Sequence, residues 1–371
     1  MKHEVSLSGP DITDAEIEAV AQVLRSPHLS LGPKLPQFEA TFTQRLGIKH
    51  AVACNSGTSA LHLAWRALEI GAGDEVITTP FSFIASSNSI MFDSAHPIFV
   101  DIDPDTWQID TNLLESAISP RTRAILPVDV FGATPDMDSV TVIAERHNLR
   151  VVEDSCEALG TMYKGRPAGT LGEIGTFGFY PNKQITTGEG GMVVTNNDDL
   201  ADRIRSMRNQ GRDPNGGWLA HARLGFNYRL SDINCAIGIE QMRRLDEIID
   251  KRAQVAGWYQ ERLKDEPRLR LQRVPAEIKL SWFVFVLRLT DDYTQQQRDH
   301  LLDQLSKRGV GCSNYFTPIH LQPFYRETLG CKPGTFPVTE ALSARTIALP
   351  FHCRLTEQEV DYVVKSLRAL L

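Results

Sequence analysis

The sequence predicts an α/β protein: a mostly parallel sheet with helices on both faces, followed by a smaller α+β domain. Three observations carry this. After Gly47, short apolar runs alternate with amphipathic helical stretches, the pattern of strand–helix–strand units that cover both faces of a sheet. After about Asp232 the texture changes to one long helical stretch, a single strand-like run and two further helices. Finally, 371 residues exceed the usual size of one domain. The expected division is residues 1–245, including an N-terminal helical segment, and residues 246–371.

Taken in order, Thr13-x-x-Glu16 is a capping box that opens a helix running through Val23. Ala51–Cys54 reads as a strand. Thr58–Leu68 reads as a helix, with Ala60, Leu61, Ala64, Ala67 and Leu68 at helical spacing. Glu75–Thr79, Pro97–Asp101, Ala124–Val128 and Val151–Asp154 follow as strands, with helical patterns between most of them. The long helical stretch runs from Ile233 towards Arg262 and ends near Pro267. The run SWFVFVLRL is strand-like, Gln295–Lys307 is helical, and a last helix starts at the capping box Thr356-x-x-Glu359.

Composition narrows the class. Hydrophobic residues at 42% and charged residues at 23% are ordinary for a globular protein. A net charge of -7 argues against nucleic acid or an anionic membrane as the main partner, while local donors still leave room for anionic small molecules. No apolar run reaches the roughly 20 residues that span a bilayer, and the N-terminal stretch has no apolar core of the signal-peptide kind. The six cysteines are scattered without a CxxC pair, which suggests reduced thiols rather than disulfides or a metal site. The cytoplasm is the expected compartment.

Five segments carry chemistry. In ACNSGTSALHL a strand ends, small residues turn the chain and a helix begins at once. The backbone N–H groups around Gly57, Thr58 and Ser59 therefore suit a phosphate, although an ordinary N-cap has the same signature. The spacing fits neither GxxxxGK[ST] nor GxGxxG. Asp154 falls at the carboxyl end of a buried-looking strand, where open α/β sheets place ligands. A carboxylate there needs a cationic partner, and a protonated pyridine nitrogen would be one. Lys183 lies between the aromatic FGFYP and the glycine-rich TTGEGG, surroundings in which a lysine can form an imine with an aldehyde. Phe83, just past a strand end, can stack on a planar heterocycle or serve as core. Asn227, Tyr228 and Arg229 form a polar cluster ahead of the long helix. Each segment has a bland structural alternative. Together they supply the phosphate cup, pyridine acid, aldehyde-capturing lysine and ring stack that a pyridoxal 5'-phosphate (PLP) enzyme needs.

The order and wording of these segments resemble the DegT/DnrJ/EryC1/StrS family of PLP-dependent sugar aminotransferases, of fold type I. The resemblance runs from LSLGPKLPQFEATF through NSGTSALHLA, EDSCEALG, FYPNKQITTGEGG and FNYRLSDINCAIGIEQ to PIHLQPFY and ALPFH, nearly the whole chain. It implies a seven-stranded-type sheet and an imine link between Lys183 and PLP. It implies also that Asp154 pairs with the pyridine nitrogen, Phe83 stacks on the ring, and Gly57, Thr58 and Ser59 hold the phosphate. Asn227 takes the place from which relatives reach the cofactor of the neighbouring subunit, which implies a homodimer. Tyr180, Arg229 and His320 are expected near the sugar. Glutamate and a nucleotide-linked keto-sugar are the implied substrates, exchanged in ping-pong fashion through pyridoxamine phosphate. Two departures stand out: Glu157 where the family usually has Gln, and Gly178 where many relatives have a phosphate-holding Ser. Lys183 is not replaced by the His of related sugar dehydratases, which favours transamination. A keto-cyclitol aminotransferase and a non-catalytic regulator that keeps the fold are the alternatives.

Overall fold

The computed structural model describes residues 4–213, 215–217 and 219–371. Thr13 caps α1 (Asp14–Leu24), with its hydroxyl accepting from Ala15 N–H and Glu16 reaching back to Thr13 N–H. Helix α2 (Lys34–Leu46) buries Leu35, Phe38, Phe42 and Leu46 at helical spacing and stops at Gly47, whose φ of 65° is left-handed. Then follow β1 (His50–Cys54), α3 (Gly57–Ala67), β2 (Glu75–Thr78), α4 (Ala85–Met91), β3 (His96–Phe99), β4 (Thr122–Ile125) and α5 (Met137–His147). The first half closes with β5 (Arg150–Asp154), β6 (Ile174–Gly178), β7 (Gly191–Thr195), α6 (Asp198–Arg208) and α7 (Asp232–Arg243).

These seven strands form one sheet in the order β1-β7-β6-β5-β4-β2-β3. Strands β2 to β6 run parallel, and β7 is antiparallel to both of its neighbours. Alternation along the strands sends side chains to two cores. Val52 and Cys54 of β1 and Val193 of β7 face α3 and α6, whereas Ala51, Ala53, Met192 and Val194 face α2 and α7. Because β2, β4, β5 and β6 are parallel, their carboxyl ends share one edge, where Ser82, Val128, Asp154 and Gly178 stand together.

The second half contains α8 (Leu245–Leu263), β8 (Leu269–Leu271), β9 (Phe285–Leu289), α9 (Gln295–Lys307), β10 (Thr346–Leu349) and α10 (Glu357–Arg368). Here β8-β9-β10 form a three-stranded antiparallel sheet over a separate apolar core that includes Tyr259, Phe285, Leu287, Leu305, Ile347 and Val363. Val5 joins this core. Its N–H donates to Gly309 O at 2.8 Å, and its carbonyl accepts from Gly311 N–H at 2.8 Å.

Three expectations are revised. The long helix is two helices, broken at Arg244 (φ -99°, ψ 6°), whose guanidinium pairs with Asp11, Glu16 and Glu247. The strand expected to reach Asp101 stops at Phe99, and the Asp101 carbonyl accepts from Asp110 N–H at 3.0 Å while its carboxylate accepts from the N–H groups of Val338 and Thr339. In SWFVFVLRL only Phe285–Leu289 pairs as a strand, while Phe283 lines the cavity described below.

Asp232, fully buried at the start of α7, accepts from Gly32 N–H and Lys34 N–H at 2.8 Å each and so supplies the start of α2 with the acceptor its own cap residue, Pro33, lacks. Asp232→Ala is expected to lower the unfolding free energy by about 1–2 kcal/mol, since two partly buried donors lose their acceptor. Urea denaturation checks this, and an unchanged midpoint would contradict it.

Candidate active site

Helix α3 is apolar nearly all round, with Ala60, Leu61, Leu63, Ala64, Trp65 and Ala67 buried, so it lies inside the core with its N-terminus at the carboxyl edge of the sheet. Its cap is Ser56, whose hydroxyl accepts from Ser59 N–H at 3.0 Å and whose carbonyl accepts from Ala60 N–H. The N–H groups of Gly57 and Thr58 belong to the first turn, which a helix cannot satisfy internally. Space is tight at Gly57, where a Cβ would come to 3.0 Å from Cys156 Sγ and 3.2 Å from the Gly178 Cα. At Gly178 a Cβ would make only ordinary contacts of 3.4 Å and beyond.

This turn forms one wall of a cavity of about 640 Å³, within the range of small-molecule sites. Asp154, at the end of β5, forms its floor. It is 4% exposed, and it accepts from Ser86 Oγ at 2.7 Å and from Cys156 N–H at 3.3 Å, both neutral donors. Lys183 enters from the loop after β6. Its Nζ lies 3.5 Å from Glu157 Oε1 and 4.1 Å from the centre of the Phe283 ring. Glu157 also accepts from Phe131 N–H at 2.9 Å. Burial raises the Glu157 carboxyl above its usual range, and the Lys183 charge opposes that rise. Phe83 and Tyr180, both more than half exposed, line the same cavity, together with Tyr315 and Phe316, whose rings stack at 5.1 Å.

Of the residues expected from sequence, Gly57, Thr58, Phe83, Asp154, Glu157, Tyr180 and Lys183 line this one cavity. Ser59 does not; its N–H and hydroxyl are engaged by Ser56, which takes its place on the wall. Asn227 is exposed and outside the lining, and Arg229 donates to Asn209 Oδ1 at 3.0 Å. His320 stands apart from the cavity. Its ring is fully buried edge-on against Phe336, 3.0 Å from Glu340 Oε1, and away from the cavity lining. Sequence reasoning missed Ser86, Phe283 and Ser56. Ser86 lies three positions after Phe83 and Ser56 one before Gly57, so both were within reach of the segments already singled out. Phe283 was hidden in an apolar run that resembled a plain strand.

The residues present fit PLP. A phosphate has the first turn of α3. An aldehyde has the Lys183 amine. A cationic ring nitrogen would give Asp154 the charged partner that its two neutral donors do not supply. Fold and cavity together define a PLP-dependent aminotransferase of fold type I. The model of the DegT/DnrJ/EryC1/StrS aminotransferase family matches residues 10–368. GDP-perosamine synthase of Caulobacter vibrioides is 39% identical over 99% of this chain and 98% of its own. Among solved structures, DesV of S. venezuelae is 35% identical over 95% of this chain and 93% of its own, with a TM-score of 0.89. The PLP form of the putative sugar aminotransferase Spr1654 of Streptococcus pneumoniae is 28% identical over 99% and 98%, with a TM-score of 0.95. The chain belongs to the DegT/DnrJ/EryC1/StrS aminotransferase family, among the sugar aminotransferases.

Beneath the floor, Glu153 and Asp129 are fully buried. Burial raises both carboxyls, and for Asp129 the nearby Glu153 charge adds to it. The folded protein therefore keeps a proton on Glu153 that the unfolded chain releases above the usual 4.5. This contribution to stability is complete below that pH and is lost as the pH climbs to the raised value. Glu153→Gln is expected to flatten the fall of stability on the alkaline side of 4.5. Unfolding free energies measured across that range decide it, and a slope equal to that of the wild type would contradict it.

Proposed function

We propose that this protein transfers an amino group from glutamate to a nucleotide-linked keto-sugar, in two half-reactions, as a homodimer. The observation that carries the proposal is the convergence of Lys183, Asp154 and the first turn of α3 on one cavity. The relative from Caulobacter is named for a GDP-linked amino-sugar, perosamine, and this supports the sugar nucleotide as acceptor. When bound, PLP supplies an aldehyde carbon that carries nitrogen and a ring that accepts electron density.

The chain's own groups do the rest. Gly57 and Thr58 hold the phosphate through backbone N–H groups, with Ser56 and Thr58 hydroxyls beside them. Asp154, oriented by Ser86, holds a proton at the pyridine nitrogen. The Lys183 amine would hold the aldehyde and, as a free base, could carry a proton to and from the substrate's Cα. Glu157 orients that amine, and Phe83 covers the ring face. Asn227, exposed on its own chain, reaches the phosphate in a second copy.

Lys183→Ala is expected to abolish glutamate-dependent amination of nucleotide keto-sugars. Turnover near the wild-type rate would remove the assignment. Asp154→Asn is expected to keep PLP bound yet lose roughly 10²-fold or more in kcat, as when a preorganised electrostatic partner is deleted. Parallel assays with keto-cyclitols test the acceptor class, and faster turnover of those than of nucleotide sugars would overturn it.

A further inference from the structure

Helix α8 turns a helical stripe inward: Leu245, Ile248, Arg252, Val255, Ala256, Tyr259 and Leu263 are its buried residues. Arg252 is the one charged member, 2% exposed. A guanidinium keeps its charge at neutral pH and costs much to bury without partners. Its terminal nitrogens donate four hydrogen bonds to backbone carbonyls. Nη2 donates to Lys183 O at 2.8 Å and Asn182 O at 3.2 Å, while Nη1 donates to Phe283 O at 2.9 Å and Trp282 O at 3.4 Å. The Phe351 ring lies 5.6 Å from its Cζ. The guanidinium thus sits between two loops, holding one through Nη2 and the other through Nη1. One carries the Lys183 amine, and the other lays the Phe283 ring 4.1 Å from that amine.

We propose that Arg252 is the positioning residue for Lys183: its guanidinium joins the lysine's own backbone to the segment that presses Phe283 on Nζ, and so fixes where the amine can react. This rests on the reading of Lys183 as the residue that captures PLP. A rigid fork of donors suits the task better than an ammonium would, because four carbonyls from two segments must be held at once. A lysine at the same place keeps the charge but can hold fewer of the four carbonyls. The cofactor's phosphate and ring contacts lie elsewhere, at the start of α3 and at Asp154, so binding and attachment are separable.

The test uses apoprotein of full length, wild type, Arg252→Met and Arg252→Lys, mixed with PLP. Quenching of protein fluorescence reads binding, and growth of the visible absorbance with borohydride fixation on Lys183 reads attachment. Binding is expected to stay within about twofold. Attachment is expected to slow by about tenfold or more in Arg252→Met, with Arg252→Lys between it and the wild type, since a displacement near 1 Å can cost as much as 10²-fold. Attachment at the wild-type rate in a folded Arg252→Met protein overturns the proposal. Should Arg252→Met fail to fold by circular dichroism, Arg252→Lys decides on the same reading: slowed attachment with retained binding supports it, and wild-type attachment overturns it. Fixation on a different residue in the wild type would instead overturn the reading of Lys183 itself, and this proposal with it.

Discussion

A carboxylate buried at the end of a strand holds its charge only if the surroundings return what water gave up. At Asp154 the protein supplies one serine hydroxyl at 2.7 Å and one backbone N–H at 3.3 Å, neither of them charged. A ring nitrogen that brings positive charge would add the ionic partner. The cavity lies above this carboxylate, the amine of Lys183 sits beside Glu157, and the acids behind the strand are buried where burial opposes their ionisation.

The sheet makes this arrangement cheap to build. Four parallel strands bring their carboxyl ends to one edge, so residues from β2, β4, β5 and β6 meet without any long-range loop having to search for its place. The antiparallel strand β7 returns the chain against β1, beside the first turn of α3. The C-terminal half adds a different kind of wall. Phe283, Tyr315 and Phe316 come from segments around its small sheet, and Arg252 ties one of these segments to the lysine loop. The site is therefore made of a rigid edge and an aromatic cover, and the amine lies where the two meet.

Local signals were legible in the sequence. The capping boxes at Thr13 and Thr356 form as read, because their partners lie three residues apart. Asp154 stood out as a carboxylate ending an apolar strand, and Lys183 as a lysine set between an aromatic and a glycine-rich run. Signals that depend on distant packing were not legible. Nothing near Arg244 marks the break between α7 and α8, since its partners Asp11 and Glu16 lie more than 200 residues away in sequence. Phe283 looks like any strand phenylalanine until the fold brings it onto Lys183. His320 shows the opposite failure. Its segment does reach the cavity through Phe316 and Thr317, but the histidine itself turns inward to Glu340.

The pairing of Asp154 with a cation is most directly tested by nitrogen-15 NMR of the protein loaded with PLP labelled at the ring nitrogen. The account predicts a protonated nitrogen near neutral pH in the wild type and loss of that proton in Asp154→Asn. A ring nitrogen that is unprotonated in the wild type, or equally protonated in both proteins, would contradict it.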